Sequence, residues 1–273
     1  EVMVAYETDL DTRGALITDS NGRSALTRLR DARPTWELNV TAPVAGNFYP
    51  ITAGAVLEDV DGGGSGGGGA RAFALVPDRG QGAASLVDGG VEVMVHRRLA
   101  HDDARGVSEP LNETACGCPP SPGCGCGGLV VSGTHTLVAA TAGPEVAAAW
   151  RTAALPVSRP LLVGFVTQVD AVARLEGEGW RPGRKPKAKR ALPPNVHLLT
   201  LAPAGGLGGG EGASPSSPAL LVRLAHLFAA GEHPTLSRPA SVDLHDALPP
   251  GMRAGAVTEM GLSGAVRLAD ARP

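Results

Sequence analysis

Residues 92–111, EVMVHRRLAHDDARGVSEPL, decide how the rest of the chain is read. The stretch opens as a strand. Val91, Val93 and Val95 alternate with Glu92, Met94 and His96, a period of two that puts valines on one face and polar groups on the other. The strand then delivers His96, Arg97, Arg98, His101, Asp102, Asp103 and Arg105 to one loop, which Gly106 follows. Guanidiniums fork onto oxygen acceptors, and carboxylates accept from hydroxyls or hold arginines in place. Such a loop suits a polar ligand. The plainer reading is a surface loop whose charges satisfy one another.

Working outward, short alternating runs are punctuated by Gly, Pro, Asp and Asn. They predict strands over residues 2–8, 15–18, 36–40, 51–58, 72–76, 91–97, 129–141, 161–168, 196–201, 219–228, 240–244 and 256–259. Turn signals at such intervals predict an all-β fold, an antiparallel β-sandwich. Over 219–228 a helix competes with the strand. One helix is expected over residues 144–155, PEVAAAWRTAAL, with Pro144 at its first position, and a further helical turn over 171–177. Four stretches read as insertions or linkers: the polyglycine run 62–69, the cysteine-rich 115–128, the basic 181–190 and the Gly/Ser/Pro-rich 204–218. The last three divide the chain into a β-sandwich domain over 1–180, a basic linker over 181–191 and a smaller C-terminal β domain over 192–273.

The 273 residues suffice for one large or two modest domains with a real core. Aromatic residues make up only 3 %, so Ala and Val must fill space that larger side chains usually take. A formal charge of −3 gives no electrostatic footprint for nucleic acid or an anionic membrane. No apolar run reaches the roughly 18 residues a membrane span needs. The chain starts at Glu1, already inside a predicted strand, and so reads as the C-terminal portion of something longer. Two glycosylation triplets, at Asn39 and Asn112, suit a protein of the secretory pathway.

Other motifs are weaker. Gly63-Gly64-Ser65-Gly66-Gly67 fits G-x-S-x-G, but a flexible polyglycine run cannot hold a serine in a strained elbow. Cys116, Cys118, Cys124 and Cys126 read C-x-C-x5-C-x-C. Four thiolates could take zinc, but the pairs are one residue closer than in the usual C-x2-C, and prolines stiffen the connection. An unstructured insertion is the preferred reading, disulfides come second and metal third. The basic run 181–190 is read as a solvated linker rather than a polyanion patch. His197, His226 and His245 are read as structural.

The wording of 92–111 closely resembles the C-terminal region of the glycoside hydrolase family 38 α-mannosidases, in particular their lysosomal acid branch. The likeness extends to ETDLDT at 7–12, TDSNGR at 18–23, RPTWEL at 33–38, PVAGNFYP at 43–50, DRGQG at 78–82 and VHLLTLA at 196–202, in the family's order. It is tight up to residue 111, patchy over 115–191, tight again from 192 and faded after 246.

The resemblance implies a retaining, zinc-dependent α-mannosidase acting on terminal α-mannosides of N-glycans and oligomannosides. In the family, the nucleophile and the zinc ligands sit on an N-terminal α/β barrel. No catalytic residue and no metal ligand is therefore expected in this chain, and Zn2+ would be bound by that barrel. The barrel and a mannose-containing oligosaccharide are the implied partners, with lysosome or vacuole as the implied location. The implied sandwich belongs to the galactose-mutarotase-like type and closes one side of the sugar cleft. Of the substrate-binding pair Arg98 and Arg97, Arg98 is the one expected to reach the sugar. His96, Asp102, Asp103 and Arg105 are expected to fix its geometry, and Asn39 and Asn112 to carry glycans. A free-standing carbohydrate-binding module is the alternative, and a degenerate fragment without a stable fold is the third reading.

Overall fold

The alternation that opens residues 92–111 forms a central strand of a four-stranded antiparallel sheet. This computed structural model describes residues 1–60, 69–106, 110–118, 120–160, 191–204, 219–248 and 252–271. The chain divides into two compact units, Glu1–Leu161 with Phe228–Pro234, and Leu162–Leu227 with Thr235–Pro273.

The first unit is an antiparallel sandwich. Its strands are β1 (Val2–Glu7), β2 (Ala15–Ser20), β3 (Ser24–Leu29), β4 (Tyr49–Ile51), β5 (Ala55–Glu58), β6 (Arg71–Pro77), β7 (Gln81–Ala84), β8 (Gly90–His96) and β9 (His135–Thr141). One sheet has the order β1-β8-β7-β4 and the other β3-β2-β5-β6-β9. The helix α1 (Pro144–Ser158) covers the outer face of the five-stranded sheet.

Period-two alternation explains how β5 and β6 serve two cores. Ala55, Leu57, Phe73 and Leu75 face the other sheet, where they meet Ile51, Ala83, Val91 and Val93. Val56, Ala72, Ala74 and Val76 face α1, where they meet Val146, Trp150 and Ala154. Small side chains on the β6 outer face leave room for the Trp150 indole, which is 3 % exposed. One large ring, Trp150, thus fills the gap that the alanines leave.

Several predicted elements differ from those observed. The expected strand 51–58 is two strands in different sheets. Between them the amides of Thr52, Ala53 and Gly54 all donate to Asp19 Oδ1, at 2.7, 2.8 and 3.0 Å, so the chain turns from one sheet to the other. Residues 36–40 are irregular, and of 129–141 only His135–Thr141 is a strand. Two strands were not expected: β3, which closes a hairpin at Asn21 and Gly22 (φ 56° and 69°), and β7.

In the second unit β10 (Val196–Pro203) pairs antiparallel with β11 (Leu220–His226), with a register shift between Leu198 and Thr200. That pairing excludes the competing helix over 219–228. Asn195 Nδ2 ties the pair to the following chain by donating to the carbonyls of Leu236 and Arg238, at 3.0 and 2.9 Å. The strand expected at 240–244 is instead irregular chain leading into the short helix α2 (Leu244–Ala247). Asp243 caps it by accepting from the His245 N–H. The expected strand 256–259 is irregular, followed by an isolated bridge between Met260 and Arg267. The predicted strand 161–168, the helical turn 171–177, the basic run 181–190, most of the polyglycine run and most of 204–218 lie outside the described residues.

Candidate functional site

The end of β8 sets the site. Val2 pairs with His96, so the chain leaves the sheet beside its own first residues. Arg97 Nε lies 3.6 Å from Glu1 Oε1, an ion pair with both side chains about half exposed. Arg98 Nε donates to Asn112 Oδ1 at 2.7 Å. The Leu99 N–H donates to the Leu111 carbonyl at 2.9 Å, which closes the base of the loop.

The two aspartates shape backbone. Asp102 Oδ2 accepts from the Ala104 N–H at 2.8 Å, and Asp103 Oδ1 accepts from the Arg105 N–H at 3.0 Å. A short acidic side chain reaches the amide two residues on more readily than a distant guanidinium, and it stabilises the positive φ of 58° at Ala104. Glu1 and Asn112 therefore hold the arginines, and neither was singled out for that part in the sequence. Arg105 and His101 are exposed.

A cleft of about 450 Å³ opens beside the strand end, lined among others by Arg79, Gln81, Met94, His96, Arg97 and Val131. Arg79 and Gln81 both belong to DRGQG, noted in the sequence only for its family likeness: Arg79 lies in the turn between β6 and β7, and Gln81 begins β7. Arg79 Nε donates to Asp78 Oδ1 at 3.1 Å, and its terminal nitrogen reaches the Ser132 carbonyl. The Thr134 N–H donates to Asp78, and with the adjacent Arg79 it holds that carboxyl below its usual value.

Behind the cleft, Gln81 Oε1 lies 2.7 Å from His135 Nε2, and His135 Nδ1 lies 2.8 Å from the Tyr6 hydroxyl. An amide oxygen only accepts, so His135 carries its proton on Nε2, and its Nδ1 accepts a hydrogen bond from the Tyr6 hydroxyl. Burial lowers the His135 pKa and favours this neutral form. A fixed polar chain thus runs from the sandwich edge to the cleft wall.

The cysteines are paired, Cys116 with Cys126 and Cys118 with Cys124, in two nested disulfides just beyond Asn112. Residues 114–118 and 120–128 are an ordered double loop rather than an unstructured insertion, and their sulfurs are not thiolates for zinc. Among the described residues no group of three or more His, Cys, Asp or Glu could hold a metal ion. Asn39 is exposed and Asn112 half-buried.

Residues 1–105, which include β1 to β8, Arg97 and Arg98, match the glycosyl hydrolases family 38 C-terminal domain. The chain carries a family 38 C-terminal domain. Similarity to curated relatives runs further along it. Over 253 residues it is 39 % identical to the lysosomal alpha-mannosidase of Homo sapiens, covering 90 % of this chain and 21 % of that protein. Over 264 residues it is 38 % identical to a probable alpha-mannosidase of Arabidopsis thaliana, covering 96 % and 23 %. The lysosomal alpha-mannosidase of Bos taurus is 39 % identical over 251 residues. The chain spans about a fifth of the length of these relatives. The family 38 domain thus includes the sheet end from which the arginine loop leaves, while the disulfide loops lie beyond residue 105.

Proposed function

We propose that this chain is the accessory β-sandwich of a retaining, zinc-dependent α-mannosidase that hydrolyses terminal α-mannosides of oligomannose glycans in a lysosome or vacuole. Its part is to supply one wall of the sugar cleft. The nucleophile, the general acid and the zinc ligands would belong to a catalytic barrel outside this chain, as the family likeness implies. Zinc, when bound there, would polarise sugar hydroxyls. No step by this chain's residues runs through it.

The observation that carries this reading is the delivery of adjacent arginines to one strand end within a family 38 domain. Arg98 is the sugar-contacting residue of the pair. Its Nε is anchored on Asn112, so its two terminal nitrogens form a preorganised fork for neighbouring hydroxyls. Arg97, paired with Glu1, lines the adjoining cleft with His96. In the longest natural form of the protein, Arg98→Ala should lower kcat/KM on an aryl α-mannoside about a hundredfold, and Arg97→Ala much less. Equal losses, or none with Arg98→Ala, would remove Arg98 from the sugar contact. The 273-residue chain alone, supplied with zinc, should show no turnover, and measurable turnover would refute the accessory reading.

The cleft of this chain itself favours a second reading, a carbohydrate-binding module. Calorimetric titration with oligomannose separates the two. Saturable binding by the isolated chain, lost in Arg98→Ala, supports the module, and no binding supports a part that acts with its barrel.

A further inference from the structure

The triplet Asn112-Glu113-Thr114 leads directly into the nested disulfides. An acceptor triplet is used through two groups, the asparagine amide that takes the sugar and the threonine hydroxyl that identifies it, and both must be open to the transferase. Here the hydroxyl is not open. Thr114 is 5 % exposed. Its Oγ1 donates to the Cys118 carbonyl at 2.9 Å, and its own N–H donates to the same carbonyl at 3.1 Å. The hydroxyl oxygen also packs against Cys124 Sγ at 3.1 Å and Cys118 Sγ at 3.4 Å. Disulfide sulfurs carry no proton, so the one hydroxyl proton goes to the carbonyl. The backbone is folded too. Thr114 bridges Gly128, and the Asn112 N–H turns back onto the Pro110 carbonyl at 2.9 Å.

We propose that closing the Cys118–Cys124 disulfide removes Asn112 as an acceptor of N-linked oligosaccharide, so that the redox state of this pair decides whether the site is used. The outer pair, Cys116–Cys126, makes none of the contacts to the Thr114 hydroxyl given above and does not gate it. Asn39 and Thr41 are both exposed, so that triplet stays available in either state.

The chemistry balances in both steps. In glycan transfer, Asn112 Nδ2 loses a proton and bonds to the anomeric carbon of a lipid-linked oligosaccharide, whose bond to the lipid diphosphate breaks. In closure, the Cys118 and Cys124 thiols pass two electrons and two protons to an incoming protein disulfide, which is reduced to two thiols. A dithiol such as dithiothreitol reverses the second step.

The test uses the full 273-residue chain, made without glycans and oxidised. It is incubated with oligosaccharyltransferase and a dolichol-linked oligosaccharide, and occupancy is read by glycopeptide mass spectrometry. Asn39 serves as the internal reference. Asn112 occupancy relative to Asn39 should rise about tenfold on reduction, and equally in Cys118→Ser/Cys124→Ser without reductant, as the hydroxyl leaves its buried hydrogen bond. Cys116→Ser/Cys126→Ser should stay closed. Equal occupancy in the oxidised and reduced chains, high or low, overturns the proposal, as does opening by the outer-pair variant. Peptide mapping of the disulfides in each sample shows that the intended pair was present or absent.

Discussion

Asp19 gathers the amide protons of Thr52, Ala53 and Gly54 on Oδ1, and those of the Gly22 amide and the Thr52 hydroxyl on Oδ2. Burial pushes its carboxyl up. The bonds from Thr52, Gly54, Ala53 and Gly22 outweigh burial and hold it below the ordinary value of 3.8. Asp19→Asn puts an amide N–H where at least one donor must be met. It should destabilise the first unit by about 3 kcal/mol near neutrality. The sign of the pH dependence follows from the lowered pKa. The contribution is whole above 3.8 and is lost as the pH falls through the folded value, so mild acid leaves it intact. Denaturant melts at pH 6 and pH 3 should show the Asp19→Asn cost shrinking at the lower pH, and a constant cost would exclude this role. Little of it was legible in sequence. TDSNGR shows a turn, but the partners lie some thirty residues away, and a carboxylate that accepts from backbone leaves no trace in its partners' side chains.

At the scale of elements, short apolar runs bounded by turn residues were readable. The runs now seen as β1, β2, β6 and β8 were found within about a residue or two, β8 because valines alternate with polar positions and β6 because residues 72–76 form a continuous apolar stretch buried on both faces. β7 escaped because QGAA carries no alternating large side chain, and β3 because its Leu26 and Leu29 remain partly exposed. Asn21-Gly22 was the usable signal for β3. The docking of α1 depends on a residue that no pattern marks. A Cβ on Gly54 would meet Trp150 Cε3 at 3.1 Å and the Leu75 carbonyl at 3.2 Å, both closer than side chains usually tolerate. Gly54→Ala should therefore cost about 1–3 kcal/mol by forcing the indole off the sheet. Adding Trp150→Leu should make the alanine less costly, since the smaller side chain yields. A double-mutant cycle by thermal melts reads the coupling, and strictly additive costs would show that the ring and Gly54 act independently.

At the scale of the whole molecule, the family likeness made the loop and the sandwich legible, but a linear division of the chain hid one dependence. Arg151 on α1 is 4 % exposed, and its Nε bonds Glu232 Oε1 at 2.6 Å. Its terminal nitrogens donate to the carbonyls of Gly22 and Arg23, and its guanidinium lies over the rings of Trp150 and Phe228. Glu232 and Phe228 belong to the first compact unit although they follow β11 in sequence. A chain ended at residue 180 would keep Arg151 and lose both Glu232 and Phe228, leaving a cation with two carbonyls and the Trp150 ring but no carboxylate. Removing one member of a buried pair typically costs about 3–5 kcal/mol. The 1–180 chain should therefore melt well below the 1–273 chain, and Glu232→Gln in the full chain should reproduce much of that loss. Arg151→Met should recover stability in the truncated chain, because it removes the stranded charge while keeping apolar contact with Trp150, and should destabilise the full chain, where it strands Glu232 instead. That opposite response of one substitution in two chain lengths separates a missing ion partner from a general loss of packing. Equal effects in both would mean that Phe228–Pro234 adds only apolar cover to α1.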